Sequence, residues 1–386
     1  MNAFTFKYSV TVYFGENAAE NNLAKELKKH GKNVMLAYGG GSIKKNGVYD
    51  ALVSILKAES KNIIEFTGIM SNPTYAKVQE GARLARENDV DFILAVGGGS
   101  VIDCCKIVSA QAKAQDDIWD MEYGKGKLPT EFIPMGAVVT AFGTGAEMNN
   151  GAVITNENKM LKSALWGASY DFTILDPEHT MTMPLRQVIS GSFDTLSHCM
   201  ETYLGSPRDT NLTDEINEAV MRSVIKNLRA ISKNPDDKFA RSELIWAAAM
   251  AENGVLKIGK VTDFQAHMIE HQVGAYTDCN HGQGLAVIHP VLYRHIYKEA
   301  SEQFARLAKN VWGISDEGKT TEQLAKEEID ALAAFIKEVG LPTTFTEMNI
   351  SPDTDWRAIA DTTVLTKGCC KKLTSDEIYD ILKECI

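Results

Sequence analysis

The chain has 386 residues, 44% of them hydrophobic, and a formal net charge of −11 at pH 7. That length and apolar content suffice for two buried cores without covalent staples, while the negative balance repels nucleic-acid backbones and anionic lipid surfaces and leaves small molecules as the expected partners. No unbroken apolar run is long enough to span a bilayer, and the 7 cysteines, without a Cys-x-x-Cys, fit neither a disulfide framework nor a thiolate zinc knot.

The opening stretch, residues 1–14, alternates apolar and polar side chains as a strand does. It has no basic segment followed by an apolar run and a cleavage site, so no secretion signal is expected and the protein reads as cytoplasmic, with reduced thiols. Strand-like runs at 33–38, 62–66 and 91–97 then alternate with helical patterns at 43–57 and 75–88. That alternation predicts a parallel sheet with helices on its faces. Further strand-like runs follow at 132–140, 151–155 and 171–176. Beyond Asp176-Pro177 the apolar period becomes 3.6, as in 213–231, 241–256 and 321–340, the last stopped by Gly340 ahead of Leu341-Pro342. The expected architecture is an α/β parallel-sheet domain over residues 1–178 followed by an all-helical domain over 179–386.

Two segments share one form, LAYGGGSIKK at 36–45 and LAVGGGSVID at 94–103: an apolar strand, three glycines and a serine, then a helix. Glycine admits a close ligand and the free N–H groups of the helix start face an anion, so a diphosphate suits the place; glycine used only for turn geometry explains either segment taken alone. Two such turns at strand C-termini of one sheet favour a dinucleotide. Neither G-x-G-x-x-G nor the phosphate loop G-x-x-x-x-G-K-[ST] occurs. No acidic residue lies within 36–45, and Lys44 and Lys45 follow the turn, which tolerates or attracts the 2′-phosphate of NADP unless both lysines are simply solvated.

Asp194 and His198 lie i,i+4 in one helical segment, and His267 and His271 repeat that spacing ahead of His281-Gly282. Such spacing presents two side chains on one helix face, a turn apart. Taken singly, each histidine reads as a hydrogen-bonded structural side chain; clustered with an aspartate, they have the composition of a metal site with no thiolate, suited to Fe2+ or Zn2+. His289 and His295 share no such spacing and read as structural, and His30 and His179 as exposed loop or helix-end residues.

Taken together, YGGGSIKK, SNPTY, AVGGGSVID, TGAEMNNGAVIT, FDTLSH and HMIEHQVGAYTDCNHGQGLAV resemble the iron-containing alcohol dehydrogenase family over almost the whole chain. The likeness is to its branch of NADPH-dependent butanol dehydrogenases and broad-range aldehyde reductases. The resemblance implies a dehydroquinate synthase-like pair of domains, nucleotide-binding then metal-binding, with the reaction in a cleft between them. It implies Asp194, His198, His267 and His281 as ligands of one Fe2+ or Zn2+, and His271 beside them as a proton relay. It further implies NADP(H) contacts at Gly40, Gly41, Ser42, Asn72, Gly98, Gly99, Ser100, Thr140, Thr144, Asn149 and Lys162. Asp103 is expected to brace the helix start. The implied substrate is a primary alcohol or aldehyde such as butanol or butyraldehyde, and the implied assembly a homodimer. One position departs from the family pattern: Ala146 stands where serine is usual, which removes one hydroxyl contact.

Other readings have their own signatures. Glycerol dehydrogenase and dehydroquinate synthase join similar domains, a metal-dependent lyase or hydrolase needs no redox cofactor, and an idle scaffold has no use for desolvated imidazoles gathered with a carboxylate.

Overall fold

Strands β1 (Thr11–Phe14), β2 (Asn33–Tyr38), β3 (Asn62–Phe66), β4 (Phe92–Gly97), β5 (Met135–Val139) and β8 (Phe172–Leu175) form a six-stranded sheet in the order β1-β8-β5-β4-β2-β3. Every neighbouring pair is parallel. In this computed structural model, which describes residues 1–209 and 211–386, β4 and β5 are buried along their whole length and β2 at all but its first residue. Central parallel strands are covered on both faces, which is why they read as unbroken apolar runs. Helices α1 (Ala18–Leu27), α2 (Ser42–Lys45), α3 (Val48–Ala58), α4 (Tyr75–Glu87) and α5 (Gly99–Lys113) connect them. The pattern at 43–57 is two helices, because Gly47 adopts a left-handed φ of 85° and restarts the chain.

β2 leads to β3 on one side and β4 leads to β5 on the other, so the strand order reverses between β2 and β4. At such a switch point the loops leaving the C-terminal strand ends diverge and leave a crevice for a ligand. The run at 151–155 belongs elsewhere: β6 (Gly151–Asn156) pairs antiparallel with β7 (Leu161–Trp166) in a separate hairpin. All these elements lie in one compact unit, Lys7–Pro184. Of the alternating residues 1–14, only Thr11–Phe14 pair, with β8, while Met1–Phe6 belong to the second unit, where the Asn2 N–H donates to the Gly259 carbonyl at 3.0 Å.

That second unit continues over Leu185–Ile386 and is helical: α6 (Leu185–Tyr203), α7 (Leu212–Lys233), α8 (Lys238–Glu252), α9 (Gln265–Thr277), α10 (His281–Ile296), α11 (Ser301–Asn310), α12 (Thr321–Glu338), α13 (Trp356–Thr362) and α14 (Ser375–Glu384). α6 is buried on every side from Val188 to Tyr203 and packs against α7, α8 and α10, which makes it the core of the unit. α12 starts with a reciprocal Thr320–Gln323 capping box and is followed by Gly340 at φ 78°. Among the described residues, no helix is long and apolar enough to cross a membrane.

α12 also buries Glu328 completely; one oxygen accepts from the Trp312 indole at 3.4 Å and the other has no hydrogen bond. Burial pushes its pKa up to about 8. The native chain thus keeps this proton while the unfolded chain, with a glutamate pKa near the usual 4.3, releases it. Stability therefore falls as pH rises from about 4 to 8, by roughly 3 kcal/mol in total by pH 7. Glu328→Gln is expected to raise the melting temperature at pH 7.5 and to change it little at pH 4.5; equal shifts at both pH values would contradict a protonated Glu328.

Candidate metal centre and nucleotide-binding turns

α6 carries Asp194 and His198 one turn apart, both buried. α9 carries His267 and His271 in the same relation, and His281 is the first residue of α10, where Asn280 caps the helix by accepting the Gln283 N–H at 3.2 Å. α10 lies so close to α6 that a Cβ on Gly282 would collide with the Ser190 carbonyl oxygen, so glycine here lets His281 stand next to Asp194. The Ser190 hydroxyl fastens the same contact by bonding to the Asn280 side chain.

The four side chains meet at one atom. Asp194 Oδ1 lies 3.4 Å from His267 Nε2, 3.4 Å from His281 Nε2 and 3.8 Å from His198 Nε2. Asp194, His267 and His281 each offer a donor atom within 4.8 Å of the others. His198 stands at the edge of the group, its ring stacked on that of His267 at 4.5 Å. Asp194 Oδ1 and His267 Nε2 are buried and make no hydrogen bond. A buried carboxylate oxygen facing three imidazole nitrogens is costly unless a cation joins them, and one carboxylate with three imidazoles is a donor set for Fe2+ or Zn2+.

The far side of two rings is fixed by carboxylates that sequence reasoning missed. Glu201 hydrogen-bonds His267 Nδ1, and Glu270 hydrogen-bonds His281 Nδ1. Both glutamates are fully buried. A carboxylate at Nδ1 holds the ring proton there, so the Nε2 lone pair points at the shared centre. Glu201 also accepts the Ala266 N–H at 2.6 Å, which ties the start of α9 to α6. The only sequence signal was the position of each glutamate three residues after a candidate histidine, His198 or His267.

Electrostatics follow from this packing. Burial alone would raise the Asp194 carboxyl, but the imidazoles of His198, His281 and His267 outweigh it and hold it well below the usual range. Burial lowers His198. It also opposes charge on His267, yet Glu201 and Asp194 prevail and push that ring up to about 10. His271 is buried beside the cluster, its ring centre 6.1 Å from that of His267 and 5.6 Å from that of His281. Phe264 forms a partly exposed wall, with its ring 4.8 Å from His267 and its backbone at a left-handed φ of 54°, a conformation rare for a bulky residue.

The remaining histidines divide. His289 is fully buried on Ser197 at 2.7 Å and His295 pairs with Glu384 at 3.0 Å, both structural. His30 is not an exposed end but stacks on Phe92 at 4.1 Å, and His179 is likewise mostly buried, 4.0 Å from Asp176. The His30 contact joins residues far apart in the chain, and His179 is covered within the short helical turn 177–180, neither of which spacing reveals.

In the other unit, both glycine turns sit at the C-terminal ends of adjacent strands, β2 and β4. Gly41 has φ 82° and precedes Ser42, the first residue of α2, while a Cβ on Gly40 would meet nothing within 4 Å, so open space lies over this turn. Gly98 precedes α5 and Gly99 begins it, followed by Ser100; a Cβ on Gly99 would collide with Thr144, so glycine there also serves close packing. Thr140 follows β5 and bonds the Gly97 carbonyl at 2.9 Å. Thr144 accepts the Ala146 N–H at 3.2 Å. Asn72 has a φ of 50° just before α4, Asn149 precedes β6, and Lys162 lies buried on β7 opposite Thr155. Asp103, expected to brace the helix start, instead ties α5 to the hairpin: its Oδ2 accepts the Val153 N–H of β6 at 2.9 Å.

A carboxylate missing from 36–45 is supplied by the neighbouring strand. Glu65 of β3 accepts from the Tyr38 hydroxyl at 2.5 Å and from Tyr49, and lies 3.4 Å from Lys44 Nζ. Tyrosine hydroxyls and the nearby ammonium hold Glu65 below the usual carboxylate range.

The family pattern "Iron-containing alcohol dehydrogenase" matches residues 9–177, and "Fe-containing alcohol dehydrogenase family, C-terminal" matches 188–386. The chain is 38% identical over 391 residues to a Bacillus subtilis (strain 168) protein named probable NADH-dependent butanol dehydrogenase 2, with 99% of each chain covered. It is 35% identical over 351 residues to the NADPH-dependent aldehyde reductase YqhD of Escherichia coli (strain K12), covering 89% of this chain and 88% of that one. The crystal structure of NADH-dependent butanol dehydrogenase A from Thermotoga maritima is similar with a TM-score of 0.93 at 33% identity, covering 100% of this chain and 99% of that one. In both halves of its sequence and in its fold, the protein belongs to the iron-containing alcohol dehydrogenase family.

Proposed function

We propose that the protein interconverts aldehydes and primary alcohols, of the butanol/butyraldehyde kind, with NADP(H) and one divalent cation, Fe2+ or Zn2+. The observation that carries this reading is the convergence of His198, His267 and His281 Nε2 on Asp194 Oδ1. These four residues would hold the cation. When bound, it supplies positive charge beside the substrate oxygen, and the nicotinamide nucleotide supplies or accepts the hydride.

The chain's own residues do the rest. Glu201 and Glu270 keep the two imidazoles in the ligating tautomer. His271 returns the proton to the alcohol oxygen, a role open to a buried imidazole next to the cluster. Residues 1–178 would bind the nucleotide through Gly40, Gly41, Ser42, Asn72, Gly98, Gly99, Ser100, Thr140, Thr144, Asn149 and Lys162, and residues 179–386 the metal. Lys44 and Lys45 support NADP(H), although Glu65 offsets the charge of Lys44 and narrows the preference over NAD(H). The family resemblance supports a homodimer, and the free cysteines support a reducing, cytoplasmic setting.

Stripping the protein with a chelator is expected to lower aldehyde reduction at least about 100-fold and to leave nucleotide binding intact, with Fe2+ or Zn2+ restoring the rate. Full activity after chelation would sink the metal assignment. A higher kcat/KM with NADH than with NADPH would overturn the nucleotide choice alone. If neither nucleotide shifts the melting temperature, a lyase or hydrolase reading replaces this one.

A further inference from the structure

Lys106 lies in the middle of α5 and is 0% exposed. Its ammonium donates to the Gly151 carbonyl at 2.5 Å and to Asn149 Oδ1 at 3.1 Å, and stands 3.4 Å from Asp103 Oδ1. Asn149 Oδ1 also accepts the Gly151 N–H at 3.1 Å, and Asp103 Oδ2 accepts the Val153 N–H at 2.9 Å. The exit of the hairpin presses on the same turn of α5: a Cβ on Gly167 would lie 2.8 Å from the Lys106 carbonyl oxygen. The buried cation thus ties α5 to the entry of the β6–β7 hairpin, while the backbone of the same residue lies against its exit. That hairpin is no part of the main sheet; its outer strand is held by Glu122, which accepts the Trp166 N–H at 2.9 Å, and by the Tyr123 hydroxyl, which donates to the Ala164 carbonyl at 2.8 Å, while the Thr155 N–H of β6 donates to the Pro73 carbonyl at 2.9 Å, beside Asn72.

Burying an ammonium is expensive, and a well-packed apolar side chain of the same volume usually serves stability as well. What an apolar side chain cannot do is fix the rotation of the Asn149 amide and the distance of the hairpin from the helix that begins at Gly99-Ser100. We propose that Lys106 is a positioning residue for nucleotide binding, setting Asn149 and the Lys162-bearing hairpin against the Gly98–Ser100 turn without touching the nucleotide itself. This inference rests on the reading of that turn, Asn149 and Lys162 as the nucleotide site.

The test is Lys106→Met, which keeps the volume and removes the charge, in the metal-loaded protein. Binding of NADPH and NADH, followed by nucleotide fluorescence, is expected to weaken at least tenfold. In turnover the loss should fall on the nucleotide KM, with kcat at saturating nucleotide changed less than threefold and the aldehyde KM unchanged. Amide hydrogen exchange across 151–166 should quicken tenfold or more in the nucleotide-free protein while β4 keeps its protection. Because Lys106 acts through Asn149, adding Asn149→Ala to Lys106→Met should weaken binding little beyond the weaker single variant. Wild-type nucleotide affinity in Lys106→Met would overturn the positioning role, and unchanged exchange across the hairpin would overturn the anchor. Should Lys106→Met not fold, Asp103→Asn reads the same anchor by faster exchange at Val153, and no change there overturns it. Wild-type protein that binds neither nucleotide would instead overturn the nucleotide reading on which the inference stands.

Discussion

Asp194→Ala is expected to lower aldehyde reduction at least about 1,000-fold, a loss of about 4 kcal/mol of transition-state stabilisation. The reason is geometric: Oδ1 of this carboxylate is the one atom that all three imidazoles face. Without it, the three imidazoles lose the one carboxylate aimed at their shared centre, so metal content should fall to a trace. Nucleotide binding should persist, because every residue assigned to it lies in the Lys7–Pro184 unit. The variant is checked by metal analysis, nucleotide titration and single-turnover rate; a metal-replete, active Asp194→Ala protein would remove the aspartate from the ligand set.

Glu201→Gln is expected to weaken metal binding about 10- to 100-fold, with a smaller effect on folding. Gln keeps the shape, and its carbonyl can still accept the Ala266 N–H that Glu201 binds at 2.6 Å. Its amide nitrogen then faces His267 Nδ1 as a donor, which drives the ring proton to Nε2, the nitrogen aimed at Asp194. The affinity loss thus reports the tautomer rather than the contact. Titration of the apoprotein with Zn2+ measures it, and an unchanged dissociation constant would show that Glu201 does not orient His267.

Much of this was legible before the fold was known, where the signal is local. The i,i+4 spacing of Asp194 with His198 and of His267 with His271 survives in α6 and α9 because a helix converts spacing directly into a shared face. The apolar runs at 33–38 and 91–97 became β2 and β4, since a central parallel strand buries both faces. Non-local features were hidden. Glu201 meets His267 across 66 positions, and Lys106 is covered by β6 and its flanks from 43 to 45 positions away. Glu65 lies outside 36–45, and strand adjacency, not chain order, brings it to Tyr38. β7 was missed as well: its sequence LKSALW lacks a strong strand signature, and only pairing with β6 defines it.

The central claim is that Asp194, His198, His267 and His281 together hold one cation, and anomalous diffraction from crystals of the metal-loaded protein tests it most directly. The account predicts a single strong peak with the three Nε2 atoms and an Asp194 oxygen at about 2.0–2.2 Å. A peak bound instead by Glu270 and His271, or no peak among these four side chains, would contradict it.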